Sequence, residues 1–250
     1  MARVSQELGF RLNLMFGFLG SVCFFVLHLI SFKFLISKFN FPGWSVGEAW
    51  VMLFTFEIFT YISFFVMWRG LTKTMLDIRT GGLDIILVKP IQSRSIAFFR
   101  SGGLHNLITV ILGIMCLVWT FLTFRLTTSF LSILLYIASL FSGVWLLHCI
   151  SVIIICINFY FKQVSGSDSF VYQFQEALKY PFHIYFGAPL FLRILIYLFA
   201  ILTTLPSVVL LSKGVTVNLV MSYILFFIIL TLASQFVWIY SLRHYSSASS

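Results

Sequence analysis

Long runs without a charged residue most constrain what this chain can form. Five such runs lie at residues 12–32, 101–124, 126–161, 194–212 and 214–242, and they contain 21, 24, 36, 19 and 29 residues. A helix needs about 20 apolar residues to cross the hydrocarbon core of a bilayer, so each run predicts one membrane-spanning helix. A sixth is predicted from Trp50 to Trp68, where Glu57 is the only charge.

The composition excludes a cytosolic enzyme, a disulfide-stapled secreted domain and a disordered protein. Of 250 residues, 60% are hydrophobic and 9% are charged, whereas a soluble domain is about a quarter charged. The alternating pattern of a membrane β-barrel is missing. We predict an all-α fold, with residues 1–250 forming a single transmembrane domain. Its six spans are expected at about 14–36, 50–68, 104–124, 130–160, 189–212 and 217–241.

The basic residues predict the orientation. Lys and Arg number 16 against seven Asp and Glu, which gives a net charge of +9. In a soluble protein this excess would suggest nucleic-acid binding, but in a membrane protein basic residues concentrate on the cytoplasmic side. With the N-terminus inside, twelve basic residues lie inside and four outside. We therefore expect both termini to be cytoplasmic in a multi-pass protein of the cell inner or plasma membrane, and we expect no nucleic-acid partner.

The first long inner connection, residues 69–103, is amphipathic and interrupted. Gly81-Gly82 and Lys89-Pro90 break it, because a proline disfavours the helical conformation of its predecessor. This pattern predicts short helical pieces at the membrane surface. Two interpretations remain open: an interfacial loop with snorkelling basic side chains, or a surface that docks a cytoplasmic partner.

Two further segments are predicted to be amphipathic helices outside the spans. In the second inner connection, residues 162–188, a helix capped by Ser167 or Asp168 is expected to end at Tyr180-Pro181. The charges at the start of the chain lie four residues apart and predict an interfacial helix that leads into the first span.

Glu57 is the one acidic residue within a predicted span. A charge at that depth costs about 2.5–3.5 kcal/mol on insertion scales, so its side chain should face the bundle interior, pair or be protonated. Glu57 and His28 lie at similar depths below the outer ends of their spans and could pair across antiparallel helices. A pathway or gating contact and a structural interhelical bond both remain open. His148 is expected to be a satisfied interior group.

The sequence offers no catalytic, cofactor or metal site. The Gly-x-x-x-x-Gly-Lys-Ser/Thr motif, the His-Glu-x-x-His motif and the Gly-x-Ser-x-Gly motif do not occur. The four Cys lie in apolar runs without metal-ligand spacing. We therefore expect a chain that is not itself an enzyme and that binds no cofactor.

Four short stretches, in this order, resemble one family. They are IRTGGLDIILVKPI at 78–91, YPFHIY at 180–185, LPSVVLLSKG at 205–214 and WIYSLRHYSSAS at 238–249. Together they are similar to the first cytoplasmic loop, a Tyr-Pro element, a Pro-initiated stretch and the tail of the integral membrane permease subunit of type-2 ABC exporters, in particular the six-span bacterial branch. The likeness covers nearly the whole chain.

The resemblance implies an ATP-driven export machine. In that family the permease pairs with a second permease, identical or different, and with two cytoplasmic ATPase subunits that bind ATP and Mg. It also implies a coupling helix that docks on the ATPase. The positions that match this element are Gly81, Gly82, Leu83, Asp84, Lys89 and Pro90.

Two alternatives stay open at this point. After Pro206 the chain could form a half-helix that dips in from the outer face, as the resemblance implies, or Pro206 could kink one continuous helix. The protein could instead be a secondary transporter or channel without an ATPase, but ionisable groups within its spans are scarce. The sequence does not identify the cargo; few intramembrane charges favour an amphipathic or hydrophobic one.

Overall fold

The computed structural model describes residues 11–38, 41, 43–89, 93–99, 103, 105–160, 167–176, 179, 187, 189–215 and 217–245. All regular elements among these residues are helical, which confirms the all-α prediction for this part of the chain. In chain order they are α1 (Arg11–Lys38), α2 (Val46–Ser63), a π-helical segment (Phe64–Trp68), α3 (Arg69–Thr80), α4 (Asp84–Leu87), α5 (Ser93–Phe99), α6 (His105–Thr123), α7 (Phe130–Ile155), α8 (Ile157–Tyr160), α9 (Ser167–Glu176), α10 (Leu190–Leu210) and α11 (Val217–Leu242).

Five helical runs in the described part of the chain are long and apolar enough to cross a membrane. They are Met15–Lys38, Val46–Thr80, His105–Thr123, Phe130–Tyr160 and Val220–Leu242. Each coincides with a predicted span. At the place of the remaining span lies α10, with 21 residues, whose described side chains give a shorter apolar helix, Ile201–Leu210.

The helix that contains the second span is longer than the predicted span. We expected it to end at Trp68, but the helical run continues to Thr80 through the π-helical segment. Single π-helical turns inside α-helices occur frequently at functional sites. Helix α3 is amphipathic and buries Leu71, Thr74 and Ile78 along one side, within the second unit.

Pro206 does not begin a separate element. Helix α10 runs through it and ends at Leu210, and α11 begins at Val217. The structure thus has the continuous helix and not the half-helix after Pro206. The proline has no N–H to offer to the carbonyl of Leu202, but the Ser207 hydroxyl donates to the next carbonyl, that of Thr203, at 2.8 Å.

The described residues fall into two compact units. The first comprises α1, α2, α6, the first half of α7 and α10, within residues 1–65, 104–144 and 174–215. Helix α2 is its centre and is buried along nearly its whole length. Glycines permit the close packing: a Cβ on Gly113 would lie 3.0 Å from the Ile58 side chain, and one on Gly143 would lie 3.1 Å from Phe59.

The second unit comprises the helices α3, α4 and α5, the end of α7, α8 and α11, within residues 66–103, 145–173 and 216–250. Its core is an apolar cluster built around Leu71, Leu83, Phe98, Val152 and Trp238, all fully or almost fully buried. The Thr74 hydroxyl donates to the Ala97 carbonyl at 2.9 Å and joins α3 to α5. The predicted inner loop is therefore an integral part of a packed unit.

Candidate functional site

A glycine turn separates α3 from α4. Gly81 ends α3 in the left-handed conformation, with φ of +80°, which a side chain would disfavour. A Cβ on Gly82 would lie 2.8 Å from Asp77 Oδ1. The predicted break at Gly81-Gly82 is therefore confirmed, and both positions favour glycine because a side chain would be strained or crowded there.

Helix α4 is short and has two different faces. Leu83, just before it, and Ile86 are 0% and 3% exposed and point into the core of the unit. Ile85 and Val88 are 72% and 84% exposed, so the opposite face offers bare aliphatic side chains. Exposed aliphatic side chains on an amphipathic loop fit either the membrane interface or a protein partner, so both interpretations drawn from the sequence stay open here.

The burial of Leu83 excludes the partner-contacting role that the family resemblance implies for it. The family likeness assigns Leu83 to the coupling positions, but its side chain cannot reach a partner and instead holds α4 against the core. The residues available for contact are Ile85 and Val88, which the motif did not single out. The i, i+3 spacing of Ile85 and Val88 could have indicated a separate face.

The other predicted positions of this element differ in how exposed they are. Asp84 is half-buried. Burial and the neighbouring Asp84 carboxylate raise the pKa of Tyr245 to about 12, which places Asp84 beside the last described residue. Lys89 is exposed. Pro90 lies outside the described residues, as do Tyr180 and Pro181 of the second inner connection.

Arg94 anchors the segment that follows the loop. It is 2% exposed and belongs to α5. Its guanidinium donates to Ser234 Oγ and to Gln235 Oε1 of α11, both at 3.0 Å, and lies 5.4 Å from the ring centroid of Trp145. Among the described residues, two neutral acceptors and an aromatic face stabilise this buried charge, and Nε has no hydrogen-bond partner. Sequence reasoning placed Arg94 only among the inner basic residues.

His148 is not the satisfied group we expected. Neither of its ring nitrogens has a hydrogen-bond partner among the described residues. The ring packs instead against three aromatic side chains, those of Phe98, Phe99 and Trp145. Aromatic packing takes the place of hydrogen bonding at this position.

In the first unit the structure brings His28 and Glu57 together. His28 Nδ1 donates to Glu57 Oε1 at 2.7 Å, between α1 and α2. Glu57 is 0% exposed, and its second oxygen has no partner within the described residues. His28 lies ten residues from the end of α1 at Lys38, or about 15 Å along the axis. The pair is thus well inside the membrane-spanning part of the helix.

Two further charged side chains join this pair, and the sequence did not predict them. Glu176, at the end of α9, places Oε2 3.6 Å from His28 Nε2. Lys179 contacts the same carboxylate at 2.5 Å. At 3.6 Å this second contact is an ion pair and not a hydrogen bond, so it is favourable when the imidazole is protonated between the two carboxylates. The structure therefore places the end of this connection beside a residue about 15 Å below the outer end of α1, and not at the inner surface where the sequence predicted it.

The ionic contacts of Glu176 keep it charged. Burial alone would raise its pKa, but the His28 ring and the Lys179 ammonium outweigh burial and lower the pKa of Glu176 to about 2. Among the described residues, no group of three or more His, Cys, Asp or Glu side chains is arranged to hold a metal ion. The four-membered cluster is an ion-pair network.

Apolar helices of spanning length define a multi-pass helical membrane protein. Residues 18–249 match the family model described as ABC-2 family transporter protein. The chain therefore belongs to this family and is an ABC transporter permease, which confirms the resemblance drawn from the four sequence stretches. Comparisons with curated proteins and with solved structures give no match.

Proposed function

We propose that this chain is the membrane-spanning subunit of an ABC exporter and that separate cytoplasmic ATPase subunits drive it. The family membership supports the transport role. The observation that carries the coupling role is α4, a short helix with buried Leu83 and exposed Ile85 and Val88, at the position where the family resemblance expects a coupling helix.

In this proposal α4 inserts its exposed face into the ATPase, and ATP binding and hydrolysis there move α4. The core of the second unit links α4 to α3 and α5, and Arg94 links α5 to α11. Movement of the loop would then be transmitted to the last span. The chain forms the translocation path together with a second permease subunit.

The proposed topology has six spans, with α10 as the fifth, and both termini in the cytoplasm. It rests on the distribution of basic residues, twelve inside against four outside. The site of action is the cell membrane. An amphipathic or hydrophobic cargo remains the expectation from the few charges within the spans.

One observation favours a second candidate, a secondary transporter coupled to an ion. The His28, Glu57, Glu176 and Lys179 network could bind and release a proton during transport. An exporter coupled to an ATPase needs no such proton movement. Transport by the isolated chain along a proton gradient would support this candidate over the ABC exporter.

Docking is tested with charge substitutions on the exposed face of α4. Tagged full-length chains carrying Ile85→Asp or Val88→Asp are expressed with the ATPase from the same source, and the co-purified ATPase is quantified. We expect both variants to lose most of the ATPase. The matched control is Val215→Asp, which changes another exposed aliphatic residue in the turn after α10. Unchanged co-purification in the α4 variants would exclude the docking role.

A further inference from the structure

A groove crosses the first unit between α6 and α7, with α2 and the end of α10 as its floor. Its volume is about 470 Å³, and its walls include Ile58, Leu117, Val118, Ile137, Leu140 and Leu210. One side is open, since Val118 and Ile137 are 53% and 45% exposed. We propose that this groove binds one acyl chain of a phospholipid whose phosphate is held by Arg125.

The walls exclude a polar ligand. Two polar side chains border the groove, and both are directed to partners within the protein. The Thr128 hydroxyl donates to the Leu210 carbonyl at 2.8 Å, and the Tyr136 hydroxyl donates to Thr55 Oγ1 at 3.4 Å. A cavity of about 150 Å³ lined by apolar side chains stays dry and binds benzene. A groove about three times larger suits a hydrocarbon chain.

The position of the groove suits one leaflet. On α6 its walls run from Ile114 to Leu122, and on α7 from Ile133 to Phe141. Nine helical residues extend about 13 Å, which is close to half of the roughly 30 Å hydrocarbon core. The groove begins next to the turn between α6 and α7, which is an outer turn in the proposed topology. The chain it holds would therefore belong to an outer-leaflet lipid.

The charge at the mouth of the groove suits a phosphate. Arg125 lies in the turn between the two walls, three residues from Leu122 and from Thr128. It is exposed and makes no ion pair with the described residues. Lys213, another basic residue of the outer turns, is already paired with Glu48 at 2.7 Å. Arginine binds phosphate through charge-assisted hydrogen bonds, so Arg125 is the group available to the lipid.

The test measures lipid retention by the full chain. The protein is placed in nanodiscs of phosphatidylglycerol, extracted with a mild detergent, and weighed by native mass spectrometry with a phosphorus assay. We expect one phospholipid per chain in the unchanged protein. Ile137→Trp fills the groove and should abolish retention of the lipid. Val118→Trp fills the groove from the opposite wall and replaces Ile137→Trp if that variant is unstable. Ile108→Trp, which changes an exposed residue of α6 outside the groove, should retain the lipid.

Arg125→Gln distinguishes a phospholipid from hydrocarbon alone. We expect it to weaken retention at least tenfold, or by about 1.4 kcal/mol or more, because the charge-assisted hydrogen bonds of the guanidinium to the phosphate are lost. Full retention by this variant would overturn the assignment of the phosphate. Retention by both Trp variants would overturn the groove as the binding site. A dimer that the Trp variants dissociate, with no bound lipid, would show that a second copy of the chain covers the groove instead.

Discussion

At the scale of single residues, Glu57 shows how two apolar helices accommodate a carboxylate. It is completely buried in α2, and His28 of α1 donates to it at 2.7 Å. Removing one partner of a buried ion pair costs about 3–5 kcal/mol, because the other is left uncompensated. This cost is not the net contribution of the intact pair, because taking both groups out of water also costs free energy.

We expect Glu57→Gln to lower the stability of the purified protein by about 1–3 kcal/mol, because the amide keeps one hydrogen bond but loses the charge. The measurement is thermal unfolding in detergent. Glu48→Gln is the control: it breaks the more exposed pair with Lys213, and a surface pair contributes about 0–1 kcal/mol. Equal losses in the two variants would contradict the account. If Glu57→Gln lowers the stability while each assembled complex still transports at the normal rate, the pair has a structural role.

Glu176 predicts an acid-sensitive contact. Its pKa is lowered to about 2 from an ordinary value of 4.5, so the stability that its charge supplies is complete above pH 4.5 and is lost as pH falls toward 2. Glu176→Gln should therefore flatten the decrease of the unfolding temperature across this pH range. The decrease is measured as the difference between the unfolding temperatures at pH 6 and at pH 3, in the unchanged protein and in the variant. An identical decrease in the variant would show that Glu176 does not contribute.

Arg94 should tolerate no conservative replacement. Both hydrogen bonds, to Ser234 and Gln235, come from Nη1, and the planar guanidinium also covers Trp145. Lysine carries a compact ammonium on a shorter side chain and lacks this planar surface. We expect Arg94→Lys and Arg94→Gln each to destabilise the second unit by about 1.5–3 kcal/mol, the usual contribution of hydrogen bonds to a charged group. Hydrogen exchange at α5 and thermal unfolding measure this. Arg243→Gln, at an exposed position, should have little effect. If the α5 amides of Arg94→Lys exchanged hydrogen as slowly as those of the unchanged protein, the anchoring role of Arg94 would be refuted.

At the scale of elements, the contact between α3 and α5 depends on a missing side chain. A Cβ on Gly70 would overlap the backbone carbonyl of Phe98, which cannot move as a flexible side chain could. Gly70→Ala should therefore separate the two helices and destabilise the protein by about 1–3 kcal/mol. Gly20→Ala in α1 has nothing within 4 Å and should be neutral or stabilising. The stability of both variants is measured by thermal unfolding. If Gly70→Ala were as stable as the unchanged protein, the close packing of α3 against α5 would be contradicted.

The spans could be predicted from the sequence because each one depends on local composition. Four of the five charge-free runs and the stretch Trp50–Trp68 lie in helices of spanning length, whereas the run 194–212 gives a shorter apolar helix among the described side chains. The Gly81-Gly82 break appeared where expected. The continuation of this helix to Thr80 could not be predicted, because charged residues suggested an ending at Trp68, whereas Leu71 and Ile78 of the continued helix pack into an apolar cluster.

The candidate sites could be predicted less well, because they depend on contacts distant in sequence. Similar depth suggested the approach of His28 and Glu57. The arrival of Glu176 depends on the course of the connection after α8, for which the sequence carries no local signal. Likewise the motif at 78–91 indicated an element but not which side chains face outward. Burial by the rest of the unit sets Leu83 inside and Val88 outside.

At the scale of the whole molecule, the proposal separates transport from energy supply. The spanning helices form the transmembrane domain, and α4 presents exposed apolar side chains on the side where the basic residues concentrate. The sequence contains no motif for binding ATP in a phosphate-binding loop. A complete exporter would then require ATPase subunits in equal number to the permease subunits.

The most direct test is the native mass of the complex. The tagged chain is extracted from its own membranes in mild detergent, and the mass and ATP hydrolysis of the purified assembly are measured. We predict two permease chains with two ATPase subunits and ATP hydrolysis by the complex. A chain that purifies alone and, after reconstitution, transports its cargo without any ATPase would contradict the account.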